Sequence, residues 1–113
     1  MSCLFCNIIN NKIPCKKLYE NDFLIAFEDI NPQAPVHILI VPKKHIDTIL
    51  NFSNEDATLI KQIFSAAKEL ATELKLVEKG FRIVINTGID AGQTINHVHF
   101  HLLGQRIFSW PPG

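Results

Sequence analysis

Two hydrophobic periods divide this chain. Period-two runs, in which apolar residues alternate with others or fill short β-branched stretches, predict strands; one long run at three- and four-residue steps predicts a helix. In order, residues 6–12 (Cys6 to Lys12) read as a short helix or turn, with Phe5, Ile8 and Ile9 as apolar contacts before Pro14. Leu18-Tyr19-Glu20 reads as a short edge strand and Asn21-Asp22 as a turn. Residues 23–29 form a strand apolar enough to be covered on both faces near its middle, ended by Asn31-Pro32. Val36 to Val41 is the strongest β segment, closed by Pro42. A polar connection follows from Lys43, with a minor helical turn between Ile46 and Leu50. Ser53 and Asp56 have the spacing of a capping box at the start of the long helix. Its stripe is Leu59, Ile60, Ile63, Phe64, Ala67, Leu70, Ala71 and Leu74, and Lys79-Gly80 ends it. Phe81 to Asn86 is again a strand, and Thr87 to Thr94 a loop with glycine near both ends. His97 to Leu103 alternates strictly, Gly104 breaks it, and Ser109 to Gly113 is a rigid, apolar tail.

Strands, one central helix and two further strands make an α+β chain with a meander-like antiparallel sheet. At 113 residues it reads as one domain, 1–113, with a modest core that a second subunit would enlarge. Apolar residues make up 47% and charged residues 19%, and the formal net charge is zero. That balance argues against nucleic acid and membrane surfaces as partners. Met1 to Cys6 shows no basic region followed by an apolar run, and no stretch approaches a membrane span, so the expected location is the cytoplasm. The chain has three cysteines, an odd number, so they make no disulfide framework. Cys15 reads as an ordinary free thiol, whereas Cys3 and Cys6 have the C-x-x-C spacing of a metal half-site or a redox pair.

The chemistry concentrates in His97-Val98-His99-Phe100-His101, which holds three of the five histidines. On a strand, His97, His99 and His101 point one way at about 6.6 Å intervals while Val98, Phe100 and Leu102 face a core. Neutral imidazoles serve as nucleophiles or bases, and three in a row let one attack while others position it or carry protons. They also suit zinc, but consecutive same-face positions on one strand struggle to close three corners of a tetrahedron. Gly92-Gln93-Thr94 offers backbone amides and a hydroxyl to phosphate oxygens, and Asn86 would add a donor if the two last strands pair.

With these residues in view, the chain resembles the histidine triad superfamily. His97 to Leu103 fits its H-φ-H-φ-H-φ-φ motif, with φ apolar, and the segments Phe5 to Ile9, Phe27 to Pro35, His37 to Ile46, Asn86-Thr87-Gly88 and Gly92-Gln93-Thr94 match in order and spacing. The tail Trp110-Pro111-Pro112-Gly113 is similar to the Hint branch, the histidine triad nucleotide-binding proteins. The resemblance implies a five-stranded antiparallel sheet with one long helix and a short N-terminal helix, doubled in a homodimer to a continuous ten-stranded sheet. It implies a purine nucleotide ligand and hydrolysis of purine nucleoside phosphoramidates, with no cofactor required for catalysis. His99 would be the nucleophile, carrying a nucleotidyl-histidine intermediate, with His97 and His101 beside it and His37 supporting from behind. His101, Thr94 and Asn86, with Gly92 and Gln93, would bind the α-phosphate, and Asp29 the ribose hydroxyls. Phe5, Ile8, Phe27 and Ile30 would line the base pocket. Read without the resemblance, Asp29 equally caps a turn and Phe27 equally belongs to an ordinary core.

Some positions depart from the commoner pattern: Thr94 where many relatives have Ser, Asn96 where an aromatic residue is frequent, and Gly104-Gln105 for Gly-Gly. The preferred leaving amine is open for that reason. Some similar proteins hold a structural zinc between C-x-x-C and two histidines, which here correspond to Cys3, Cys6, His45 and His97; the alternative is a pair of free thiols. Three other functions stay open: a metal-dependent hydrolase, a nucleotide-binding regulator with residual catalysis, and a dinucleoside polyphosphate hydrolase.

Overall fold

The computed structural model describes residues 3–113, so Met1 and Ser2 of the N-terminal hexapeptide read above lie outside the described residues. The element order is α1 (Leu4–Ile9), β1 (Lys17–Glu20), β2 (Leu24–Glu28), β3 (Val36–Pro42), α2 (Ala57–Glu73), β4 (Phe81–Val84) and β5 (Phe100–Gly104). The five strands form one sheet in the order β1-β2-β3-β5-β4, every neighbour antiparallel. The expected meander therefore holds only for β1 to β3. After the helical crossover the chain enters at the far edge as β4 and returns inside as β5, between β4 and β3.

Strand alternation sorts side chains onto two buried faces. Leu24, Ala26, Ile38, Ile40, Phe100 and Leu102 pack against the stripe of α2, while Ile25, Phe27, Leu39 and Val41 pack against Phe5 and Ile8 of α1. β2 and β3 are thus covered on both sides along most of their length, and apart from Glu28 and His37 their residues are apolar for that reason. On α2 the buried positions are Leu59, Ile63, Ala66, Ala67, Leu70 and Ala71. Burying each Leu or Ile contributes about 1.5–3 kcal/mol relative to exposure. Phe64, expected in the stripe, is exposed and meets Phe100 of the sheet edge-on, with ring centroids 5.8 Å apart.

The capping box forms as its spacing predicts, around a 3-10 turn over Asn54–Asp56 that precedes α2. Asp56 Oδ2 accepts from the Ser53 amide at 2.9 Å, and its Oδ1 receives Lys44 Nζ at 2.7 Å. The minor turn spans Ile49–Asn51, beginning three residues after and ending one residue after the expected Ile46 to Leu50. The helix ends at Glu73, before Lys79-Gly80, in a Schellman arrangement with Lys75 in the left-handed region at φ 61. The Leu76 amide donates to Ala71 O at 2.8 Å, and the Leu76 side chain is buried. Gly104 ends β5 within the ladder: a Cβ there would lie 2.8 Å from Leu76 Cδ2, so any larger residue would require the buried Leu76 side chain to shift. No helix among the described residues is long and apolar enough to cross a membrane.

Candidate active site

The histidines lie on the α1 face of the sheet, opposite the core that receives Val98, Phe100 and Leu102. His97 and His99 precede β5, and only His101 lies within it, paired with Leu39 of β3 and Val84 of β4. Asn86 lies two residues beyond the last β4–β5 pair, Val84 with His101, and lines the same cavity as His99. The expected row of three therefore divides. His99 and His101 remain neighbours, with ring centroids 5.0 Å apart, whereas His97 is fully buried and turned toward the N-terminal cysteines.

Hydrogen bonds assign each tautomer. A carbonyl oxygen only accepts, so His99, whose Nδ1 lies 2.8 Å from His97 O, carries its proton on Nδ1. Its Nε2 keeps a free lone pair. On His37, Nδ1 accepts from the Gln33 amide at 3.0 Å, so the proton sits on Nε2 and is donated to His101 Nδ1 at 2.9 Å. His101 then carries its own proton on Nε2, a buried atom with no partner among the described residues. The chain of two bonds thus ends in an unused N–H donor.

Burial pushes His101 down to about 4, with the imidazoles of His99 and His37 adding to the effect and Asp29 opposing it. Burial also lowers His37, against the pull of Asp29, whose Oδ2 lies 3.5 Å from His37 Nε2. Both rings are therefore neutral at pH 7. The unfolded chain, with His near 6.5, binds more protons than the folded one below that pH, so stability falls as pH drops from about 6.5 toward 4. His101→Asn should flatten that acid limb in thermal melts taken across this window; an unchanged limb would place the acid sensitivity elsewhere.

A cavity of about 570 Å³ opens beside these rings. Of the expected residues, Phe5, Ile8, Phe27, Asp29, Ile30, Asn86, Gly92, Thr94, His99 and His101 line it. Ile30 does so from the rim, fully exposed. Phe5 meets Phe27 edge-on at 5.9 Å and His99 at 5.0 Å, giving an apolar wall next to the reactive ring. Asp29 Oδ1 accepts from the Asn31 amide at 2.8 Å, so it shapes its turn and faces the cavity as well. His37 and His97 stand behind the lining.

The loop before the histidines differs from expectation in one respect. The Gly92 amide donates to Ile89 O at 3.0 Å and the Gln93 amide to Gly88 O at 3.1 Å, so neither is directed at a phosphate. The Gln93 side chain is also internal, donating to Asp47 O and Ile95 O. Gly92 sits at φ 87, which explains the glycine. Thr94 and Asn86 are the polar side chains this region presents to the cavity. Residues not anticipated there are Leu4, Ile13, Pro14, Cys15, Lys16, Glu28, Leu39 and Ile95. Cys15, read as an ordinary thiol, packs beside the cluster of Phe5, Phe27 and Leu39; nothing in its polar neighbours signalled that.

Cys3, Cys6, His45 and His97 converge behind this wall, their donor atoms within 4.8 Å of one another. Cys3 Sγ lies 3.4 Å from His97 Nδ1, and Cys6 Sγ lies 3.3 Å from His45 Nδ1 and 3.6 Å from His97 Nδ1. His97 Nε2–H donates to Pro42 O at 2.7 Å and His45 Nε2–H to Asp47 Oδ1 at 2.8 Å. Each ring thus turns a bare Nδ1 toward the thiols, with its other nitrogen anchored as metal-binding histidines require. Burial, then the Cys3 sulfur, pushes the Cys6 thiol up; a bound cation would favour the thiolate instead. Two sulfurs and two nitrogens in this arrangement fit tetrahedral zinc.

Comparison with known proteins agrees with the geometry. Residues 10–107 match the HIT domain family. An uncharacterized HIT-like protein of Synechocystis sp. is 46% identical over 110 residues, covering 97% of this chain and 96% of its own length. A HIT family hydrolase from Legionella pneumophila superposes with a TM-score of 0.97 at 46% identity, covering 99% of this chain and 100% of the other. A histidine triad nucleotide-binding protein from Candida albicans superposes at 0.83 with 35% identity, over 99% of this chain and 85% of the other.

Proposed function

The chain belongs to the HIT domain family, and from that premise we propose that it hydrolyses purine nucleoside phosphoramidates through a nucleotidyl intermediate on His99. The observation that carries this reading is the tautomer network. His99 is held with a lone pair on Nε2 in a cavity wall, and His101 beside it offers an unpartnered Nε2–H.

In this reading His99 Nε2 attacks the α-phosphorus, the P–N bond breaks, and the amine departs with a proton taken from solvent, which the water consumed in the next step returns. Water then attacks the nucleotidyl-histidine, releasing a nucleoside monophosphate and restoring the free imidazole. As the ring bonds to phosphorus it becomes cationic, and the His97 carbonyl accepting from Nδ1–H stabilises that charge. His101, neutral at pH 7, donates Nε2–H to a phosphate oxygen. Thr94 and Asn86 contact the same phosphate, the Asp29 carboxylate accepts from the ribose cis-diol, and Phe5, Ile8, Phe27 and Ile30 enclose the base. Zinc held by Cys3, Cys6, His45 and His97 would be structural, since these residues stand behind the cavity lining.

The deciding experiment compares turnover of an adenosine 5′-phosphoramidate with that of a diadenosine polyphosphate. The phosphoramidate should be preferred by at least tenfold in kcat/KM. Preference for the polyphosphate would assign the dinucleoside branch, and nucleotide binding without turnover of either would make the protein a binding module.

The proposal includes a homodimer. β4 is an edge strand whose outer side pairs with no other strand among the described residues, and Phe81 on it is exposed. Arg82 donates to Ser109 O at 3.0 Å, which draws the exposed Ile107 and Trp110 segment alongside. An open edge flanked by apolar side chains favours pairing with a second copy, extending five strands to ten. Light scattering at micromolar concentration should report twice 12.8 kDa; a monomer at that concentration would refute it.

A further inference from the structure

The cysteine–histidine cluster reaches the cavity by three separate routes. The first is α1, which it anchors: Cys3 caps this six-residue helix and Cys6 lies within it, while Phe5 and Ile8 of the same helix line the cavity. So short a helix has little stability of its own and depends on what ties it down. The second is His97, whose carbonyl sets the tautomer of His99 and whose ring packs edge-on against Phe5 at 5.8 Å. The third is Asp47. Its carboxylate holds His45 Nε2 at 2.8 Å, and its carbonyl accepts from Gln93 Nε2 at 2.8 Å. Gln93 also accepts from the Gly88 amide at 3.1 Å and donates to Ile95 O at 3.0 Å, so it braces the loop that supplies Gly92, Thr94 and Ile95 to the cavity.

We propose that a tetrahedral divalent ion at Cys3, Cys6, His45 and His97 and a nucleoside monophosphate in the cavity tighten each other's binding, with Asp47 as the positioning residue that joins the cluster to the Thr94 loop. The inference rests on the nucleotide reading above. An ion on the cluster fixes α1, the His97 carbonyl and the loop before nucleotide arrives, so less ordering accompanies binding. Linkage requires the converse: nucleotide that holds those elements must raise the affinity for the ion by the same factor.

The test uses the zinc-loaded full chain with adenosine 5′-monophosphate as probe. Zinc transfer to a colorimetric chelator is followed with and without saturating nucleotide, and calorimetry gives the nucleotide Kd for loaded and metal-free protein. The expected result is about a 5–50-fold shift in both, equal in size. Asp47→Ala, which leaves all four ligands in place, should lower zinc affinity about 10–100-fold and shrink the coupling. Asp47→Asn keeps an acceptor oxygen for His45 and should restore most of both. If nucleotide binds the loaded protein but leaves zinc transfer unchanged, this inference falls and the nucleotide reading stands. If nucleotide does not bind the loaded protein, both fall. Should the metal-free chain unfold, the transfer measurement on loaded protein decides alone.

Discussion

His99→Ala should lower phosphoramidate turnover by about four orders of magnitude or more, because no other group on this face can replace its Nε2. His101 carries its proton on Nε2 and has its other nitrogen tied to His37. His97 is buried, with Nε2 donating to Pro42 O. Neither ring offers a lone pair to phosphorus in the cavity. Binding of adenosine 5′-monophosphate should change by only a few-fold, since Asp29, Ile8, Phe27 and Asn86 are untouched. His101→Ala should lose the phosphate donor but keep a measurable rate. Rapid quench with labelled substrate reads both, through an acid-labile nucleotidyl-protein. Label accumulating normally on His99→Ala, or His101→Ala proving the more damaged enzyme, would move the nucleophile elsewhere.

The largest effect on stability should come from His97→Ala. The ring is fully buried, fills space against Phe5 and His45, and satisfies the Pro42 carbonyl at 2.7 Å. Its removal leaves a cavity and an orphaned buried acceptor, together costing about 3–5 kcal/mol. The melting temperature should fall by roughly 10 °C or more, and bound zinc from one per chain to none. His45→Ala gives the contrast. That ring is exposed, so its loss should release zinc with a much smaller drop in melting temperature measured on metal-free samples. Equal melting of the two variants would mean that His97 matters only as a ligand.

Local patterns made a large part of this molecule legible. The apolar run in residues 23–29 predicts a strand covered on both faces near its middle, and Val36 to Val41 predicts a second strand; the faces of both are covered by α1 and α2. The step of three and four predicts α2, and Ser53 with Asp56 predicts its start, because capping and amphipathicity depend on residues within a turn or two. The alternation of His97 to Leu103 likewise assigns Val98, Phe100 and Leu102 to the core. The resemblance that rests on this motif led to Cys3, Cys6, His45 and His97, which the fold brings together across intervals of 39 to 94 residues.

Tertiary structure decided the rest. Nothing within β4 or β5 states that β5 lies between β3 and β4, since either order satisfies the same alternation; the pairing of Leu39 with His101 settles it. That pairing brings His37 to His101 and thereby determines which nitrogen of His101 faces the cavity. The turn of His97 away from its row, the commitment of the Gly92 and Gln93 amides within their loop, and the arrival of Cys15 in the cavity wall have the same origin. Period assigns a residue to a face, but its hydrogen-bond partner there is a neighbour from distant sequence, and partners determine where a proton sits.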